Sequence, residues 1–90
     1  MKLSDRFSVP PQVLDRSVRD EHVILDLESG TYYGLGGVGA GMWQLIGDGK
    51  TLGEICDALL KQYDVSREQL EGDLLKLAQE LAERGLIVPR

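Results

Sequence analysis

Few residues in this chain are suited to chemistry. Gly34-Leu35-Gly36-Gly37-Val38-Gly39 spells G-x-G-x-x-G. At a strand-to-helix turn that spacing lets backbone amides cradle a dinucleotide pyrophosphate. The same chemistry needs a parallel return strand ending in an acidic residue. Here the next segment opens at Thr51 with helix signals. The glycine run therefore reads as a flexible connection that permits close packing. His22 is the sole histidine and Cys56 the sole cysteine. Neither has a second histidine or cysteine at ligand spacing, so no metal site is expected. An internal disulfide is excluded. Cys56 falls on an apolar helical stripe, where a thiol acts as a small hydrophobe. His22 sits at a strand end and is expected to face solvent. No nucleophile–base constellation has support, so the chain is expected not to be an enzyme and to carry no cofactor.

The whole chain narrows the function classes further. Its 90 residues suffice for one core and not for two. The composition, 42% hydrophobic and 28% charged, is that of a globular domain. No apolar run approaches the ~20 residues of a membrane span. The N-terminus lacks the plan of a secretory signal, so a cytoplasmic location is expected. Ten basic residues against fifteen acidic ones give a net charge of -5. That balance disfavours nucleic acid, whose phosphates supply most of the affinity.

Residues 1–11 read as a loosely held lead-in ending in Pro10-Pro11, and residues 12–90 as the folded domain. Val13, Leu14 and Val18 mark a first strand ending near Arg19-Asp20. His22 to Leu27 is the clearest strand, with Val23, Leu25 and Leu27 alternating. Thr31 to Leu35 is the third. A three-residue loop, Glu28 to Gly30, would pair Leu25 with Tyr33. It would gather Val23, Leu25, Leu27, Tyr33 and Leu35 on the core face, and is preferred to a two-residue loop. Ile24, Asp26 and Tyr32 would then face away.

From Val38 the period becomes helical. Val38, Met42, Leu45 and Ile46 share a face. Thr51 with Glu54, and Ser66 with Gln69, are capping-box pairs that open a second and a third helix. The third carries the stripe Leu70, Leu74, Leu77, Leu81. Gly85 is its expected left-handed stop, with Leu86 folding back. Three strands followed by three helices predict an α+β, winged-helix-like domain with an antiparallel meander.

In such a meander the third strand leaves an edge open. Thr31 to Leu35 holds no proline and no charge, the usual protections of an edge. An edge left open is often a docking site for an added strand. Beside the stripe of the third helix lies an apolar shoulder of Leu75, Ala78 and Ala82. It either walls a groove or packs on the first helix. The opposite shoulder, Asp73, Glu80 and Arg84, is charged.

The ordered set Leu25 to Leu35, Val38-Gly39-Ala40, Met42 to Ile46, Thr51 to Ile55 and Leu81 to Ile87 resembles the PqqD-like family. These are recognition elements for ribosomally made, post-translationally modified peptides. The resemblance covers about Val13 to Val88. It implies that a precursor's leader peptide adds as a strand beside the third strand, in a groove lined by the third helix. Backbone groups of Thr31, Tyr32, Tyr33, Gly34 and Leu35 would pair with it. Tyr33, Leu35, Leu75, Ala78 and Ala82 would receive its apolar side chains. It further implies a maturation enzyme as partner, a lasso-type leader peptidase being favoured because Glu28-Ser29-Gly30 and Leu86 depart from the quinone-pathway members. The alternatives are a peptide chaperone for a radical enzyme and, from the shared architecture, a winged-helix DNA-binding regulator. The latter suffers from a net-acidic third helix.

Overall fold

The computed structural model describes residues 1–19 and 21–90. The elements run β1 (Phe7–Ser8), β2 (Val13–Val18), β3 (Glu21–Asp26), β4 (Tyr32–Gly36), α1 (Val38–Gly47), α2 (Leu52–Leu60), α3 (Arg67–Glu83) and β5 (Val88–Pro89). Strands β2, β3 and β4 form the expected antiparallel meander, and the three helices follow it. The α+β reading therefore holds. Strand β2 ends at Val18, and Asp20 lies outside the described residues. No helix among the described residues is long and apolar enough to cross a membrane.

The lead-in is packed, against expectation. Phe7 is 1% exposed within the core. Strand β1 pairs antiparallel with β5, Phe7 opposite Pro89 and Ser8 opposite Val88. The Arg90 N–H donates to the Arg6 carbonyl at 2.9 Å. Further back, the Gly53 N–H donates to the Leu3 carbonyl at 2.8 Å. One aromatic anchor, a two-residue ladder and backbone bonds to the start of α2 hold the segment, and none makes a periodic signal. The apolar tail Leu86-Ile87-Val88 supplies the ladder partner, with Leu86 and Ile87 buried.

The β3–β4 register differs from both hairpins considered for the sequence. Leu25 faces Tyr32, Ile24 faces Tyr33 and His22 faces Leu35. The loop has four residues, Leu27 to Gly30, because Asp26 organises it. Its carboxylate accepts from the Glu28 N–H and from the Ser29 hydroxyl, each at 3.0 Å. Its backbone N–H donates to the Thr31 carbonyl, and its carbonyl accepts from Gly30. Gly30 takes the left-handed φ of 74° that closes the turn. An aspartate side chain that mimics backbone in this way is a strong local determinant.

A one-residue slip reverses every side chain of a strand. Ile24 is accordingly fully buried, and His22 and Asp26 also face the core. Val23 and Leu25 face outward, and Leu27 is 58% exposed. The expected assignment of these six residues is thus inverted, whereas Tyr33 and Leu35 point inward as expected.

Helix signals are obeyed more closely. At α2 the Thr51 hydroxyl accepts from the Glu54 N–H, and the Glu54 carboxylate accepts from the Thr51 N–H. At α3 only half of the box forms. Ser66 accepts from the Gln69 N–H, while the Gln69 side chain turns to Asp73. Gly85 has φ 73°, and the Leu86 N–H reaches back to the Leu81 carbonyl at 3.0 Å. The buried stripe of α3 is Leu70, Leu74, Ala78 and Leu81, with Ala78 in the place expected for Leu77.

Candidate functional site

Strand β4 is a free edge, since the sheet order is β2-β3-β4. Alternation along an antiparallel ladder fixes which of its groups are unspent. The Asp26 N–H donates to the Thr31 carbonyl. Tyr33 and Leu35, two and four residues on, therefore direct their backbone groups at β3. Tyr32, Gly34 and Gly36 direct theirs at the open side. The edge thus offers a row of donors and acceptors spaced two residues apart.

Side chains then make a groove beside that edge. Tyr33 and Leu35 lean under the sheet toward α3. Leu77 meets Leu35 above Gly39. A methyl on Gly39 would lie 3.3 Å from Leu35 Cδ2 and 3.4 Å from Leu77 Cδ2, so the missing side chain allows that approach. Toward the hairpin the groove turns polar. The Tyr33 hydroxyl donates to Glu80 Oε1 at 2.8 Å. The Arg84 guanidinium lies over the Tyr33 ring, 4.9 Å from its centroid, and its Nη2 is 3.7 Å from Glu80 Oε1. A pocket of about 240 Å³ opens there, bounded by Asp26, Ser29, Thr31, Tyr32, Tyr33, Arg84 and Leu86.

The bond to Glu80 raises the Tyr33 pKa above that of an ordinary phenol. Burial and the Glu80 charge raise it further, and Arg84 opposes them. A raised folded-state value means that this contact stabilises the fold fully below the unfolded phenol value of ~10. The contribution disappears as pH climbs through the raised value. In an ultraviolet pH titration, Tyr33→Phe is expected to remove a late-ionising phenol. An unchanged late phase would separate Tyr33 from Glu80.

The residues singled out from the sequence divide. Tyr33, Gly34 and Leu35 stand at the groove and its edge. Thr31 belongs to the turn, where its N–H donates to the Ser29 hydroxyl. Tyr32 points to the outer face of the sheet. Ala78 is fully buried in the core and presents no surface to a ligand. Leu75 and Ala82 are partly buried on the α3 flank shared with Glu71. Glu71 contacts Arg67, which bonds Asp57 on α2. The apolar shoulder is therefore on the α2 side, and the shoulder of Leu77, Glu80 and Arg84 meets β4. That charged row was visible at helical spacing. Its neighbour was not, because the turn of α3 relative to the sheet is a tertiary property.

The other chemical candidates are structural. His22 is buried, contrary to expectation. Gln44 Nε2 lies 3.0 Å from its Nε2, and Asp15 lies 3.4 Å from its Nδ1. Cys56 is buried and unpaired by disulfide, and burial pushes its thiol pKa up, away from a reactive thiolate. Gly37 precedes α1 with φ 56°, and the chain passes from α1 into α2 with no parallel strand between.

Comparison with known proteins agrees with this architecture. No curated protein sequence matches the chain significantly. The solved structure of TbiB1 in complex with the TbiA(beta) leader peptide is 38% identical, with a TM-score of 0.84. The match covers 89% of this chain and 93% of that one. The structure of a lasso peptide synthetase B1 complexed with the leader peptide is 28% identical, with a TM-score of 0.85. It covers 93% of this chain and 99% of that one. The family model described as coenzyme PQQ synthesis protein D matches residues 21–87, from the first residue of β3 through the buried Ile87. With that match spanning the sheet edge, all three helices and the tail, the chain belongs to the PqqD family.

Proposed function

We propose that this chain is a non-catalytic recognition element for the leader peptide of a ribosomally made precursor. The peptide adds as a strand to β4, and the chain presents it to a processing enzyme, of which a lasso-type leader peptidase is favoured. The single observation that carries the reading is the open β4 edge lying beside a groove walled by α3. The two similar structures, each a complex with a leader peptide, support it. Main-chain hydrogen bonds from Tyr32, Gly34 and Gly36 would supply affinity, and side-chain pockets would supply specificity. Strand side chains alternate, so those two residues apart enter the groove together. One would meet Leu35 and Leu77, and the next would meet Tyr33, Glu80 and Arg84. The leader is therefore expected to carry an apolar residue two positions from a polar or basic one.

The direct test is fluorescence anisotropy with a labelled leader peptide encoded beside this gene. Saturable binding is expected, with Leu77→Asp weakening it about tenfold or more by placing a charge in the apolar end. A folded chain that ignores the peptide would remove the reading. Binding that Leu77→Asp leaves intact would move the site off this groove.

A further inference from the structure

The outer face of the sheet, which meets the groove where Tyr32 rims the pocket, carries exposed apolar side chains. Its register sets nine outward residues in three rows across β2, β3 and β4. The rows are Leu14–Leu25–Tyr32, then Arg16–Val23–Gly34, then Val18–Glu21–Gly36. Leu14 is 50% exposed, Val18 48% and Tyr32 77%. A cross-strand row of large apolar side chains such as Leu14–Leu25–Tyr32 normally faces a core, and here its two ends are exposed to solvent. The most regular apolar alternation in the sequence, Val23-Leu25-Leu27, is spent on this surface.

From this pattern we infer that the outer face is an interface between two copies of the chain. The face is self-complementary about one diagonal. Rows stand ~6.8 Å apart along the strands and columns ~4.8 Å apart across them, so a two-fold axis along Val18–Val23–Tyr32 crosses the two sheets at a steep angle short of orthogonal. It sets Leu25 over the partner's Gly34 and Leu14 between the partner's Gly34 and Gly36. Leu25 then meets bare backbone, since a methyl on Gly34 would touch nothing within 4 Å in the single chain, whereas Gly36 is flanked by Glu21, whose Cγ would lie 3.6 Å from a methyl there. It sets Arg16 against the partner's Glu21, twice by symmetry. Neither residue has an ion-pair partner among the described residues of its own chain. Tyr32 meets its own symmetry mate. No other two-fold axis in the plane of this grid pairs both charges with their opposites.

Size sets the strength. Three strands ~4.8 Å apart and about six residues long give a face of roughly 300 Å² in projection. Stable interfaces bury about 800 Å² on each partner, so this dimer is weak and dissociates on dilution. Its contacts lie on the side of the sheet opposite α3, leaving the α3 wall of the groove free.

The experiment is sedimentation velocity on the full chain from low to high micromolar concentration. Reversible monomer–dimer exchange is expected. Arg16→Glu alone and Glu21→Arg alone each create like-charge pairs and should weaken the dimer about tenfold or more. The double variant Arg16→Glu/Glu21→Arg should restore it. Both positions are exposed, and circular dichroism verifies the fold of each variant. A wild-type chain that stays monomeric throughout overturns the inference. So does a dimer that is indifferent to the single swaps, or one that the double swap does not rescue, because it must use another face. A Tyr32→Ser variant gives an uncharged check, and retention of a full-strength dimer in it would count against the interface equally.

Discussion

Phe7→Ala is expected to lower the unfolding free energy by about 3–5 kcal/mol, the usual range for emptying a buried phenylalanine site. Phe7 is fully enclosed, and among the described residues its strand is the only β partner of β5. The vacated volume cannot be refilled cheaply. Neighbouring Pro10-Pro11 fixes the path of the backbone on one side, and the Leu52 N–H bond to the Asp5 carbonyl fixes it on the other. A domain of this length is stable by about 5–10 kcal/mol in total, so the variant approaches its unfolding limit. Urea denaturation measures it. A midpoint shift at constant slope is expected. A loss below about 1 kcal/mol would return the first eleven residues to the status of a loose lead-in.

Gly34→Pro is expected to weaken leader binding about tenfold or more while leaving the fold intact. The Gly34 N–H points to the open side of β4, so proline removes a donor that the sheet itself does not use. Its ring also stands where an incoming strand must approach. Loss of one good hydrogen bond is about 1 kcal/mol, and steric exclusion adds to it. Two controls sharpen the result. Gly34→Ala keeps the N–H and adds a methyl with no neighbour, so binding should persist. Tyr33→Pro removes a bond to β3 and should destabilise the domain itself. Anisotropy gives the affinities, and thermal unfolding separates folding from binding. A folded Gly34→Pro chain of unchanged affinity would exclude strand addition at this edge. The opposite order, with Tyr33→Pro harmless to folding, would mean that the ladder is phased the other way.

The difference between those two neighbours shows what could be read in advance. That Thr31 to Leu35 forms an unprotected edge is legible, because the absence of charge and proline is a property of the letters. Which of its residues carry the free groups is not. It depends on the loop, and the loop depends on one carboxylate. Asp26 satisfies two turn donors from the sheet's inner face. That bonding outweighs the alternation of Val23, Leu25 and Leu27, which argued for the opposite facing. An apolar count cannot detect such a preference, since a buried aspartate looks like an error until its partners are known.

Local chemistry determined the rest of the secondary structure. Thr51, Ser66 and Gly85 open and close helices through bonds to residues three to five positions away, so their effects are written in adjacent sequence. The order of strands and helices, the fold class and the open edge follow from the same short-range signals. Tertiary structure alone decided three things. It selected the Leu77, Glu80 and Arg84 flank of α3 as the groove wall, because rotation of a helix about its axis is settled by packing on distant residues. It buried Phe7 and His22, whose surroundings come from both ends of the chain and from α1. It turned the strongest strand pattern outward, because register is a relation between two strands and belongs to neither one.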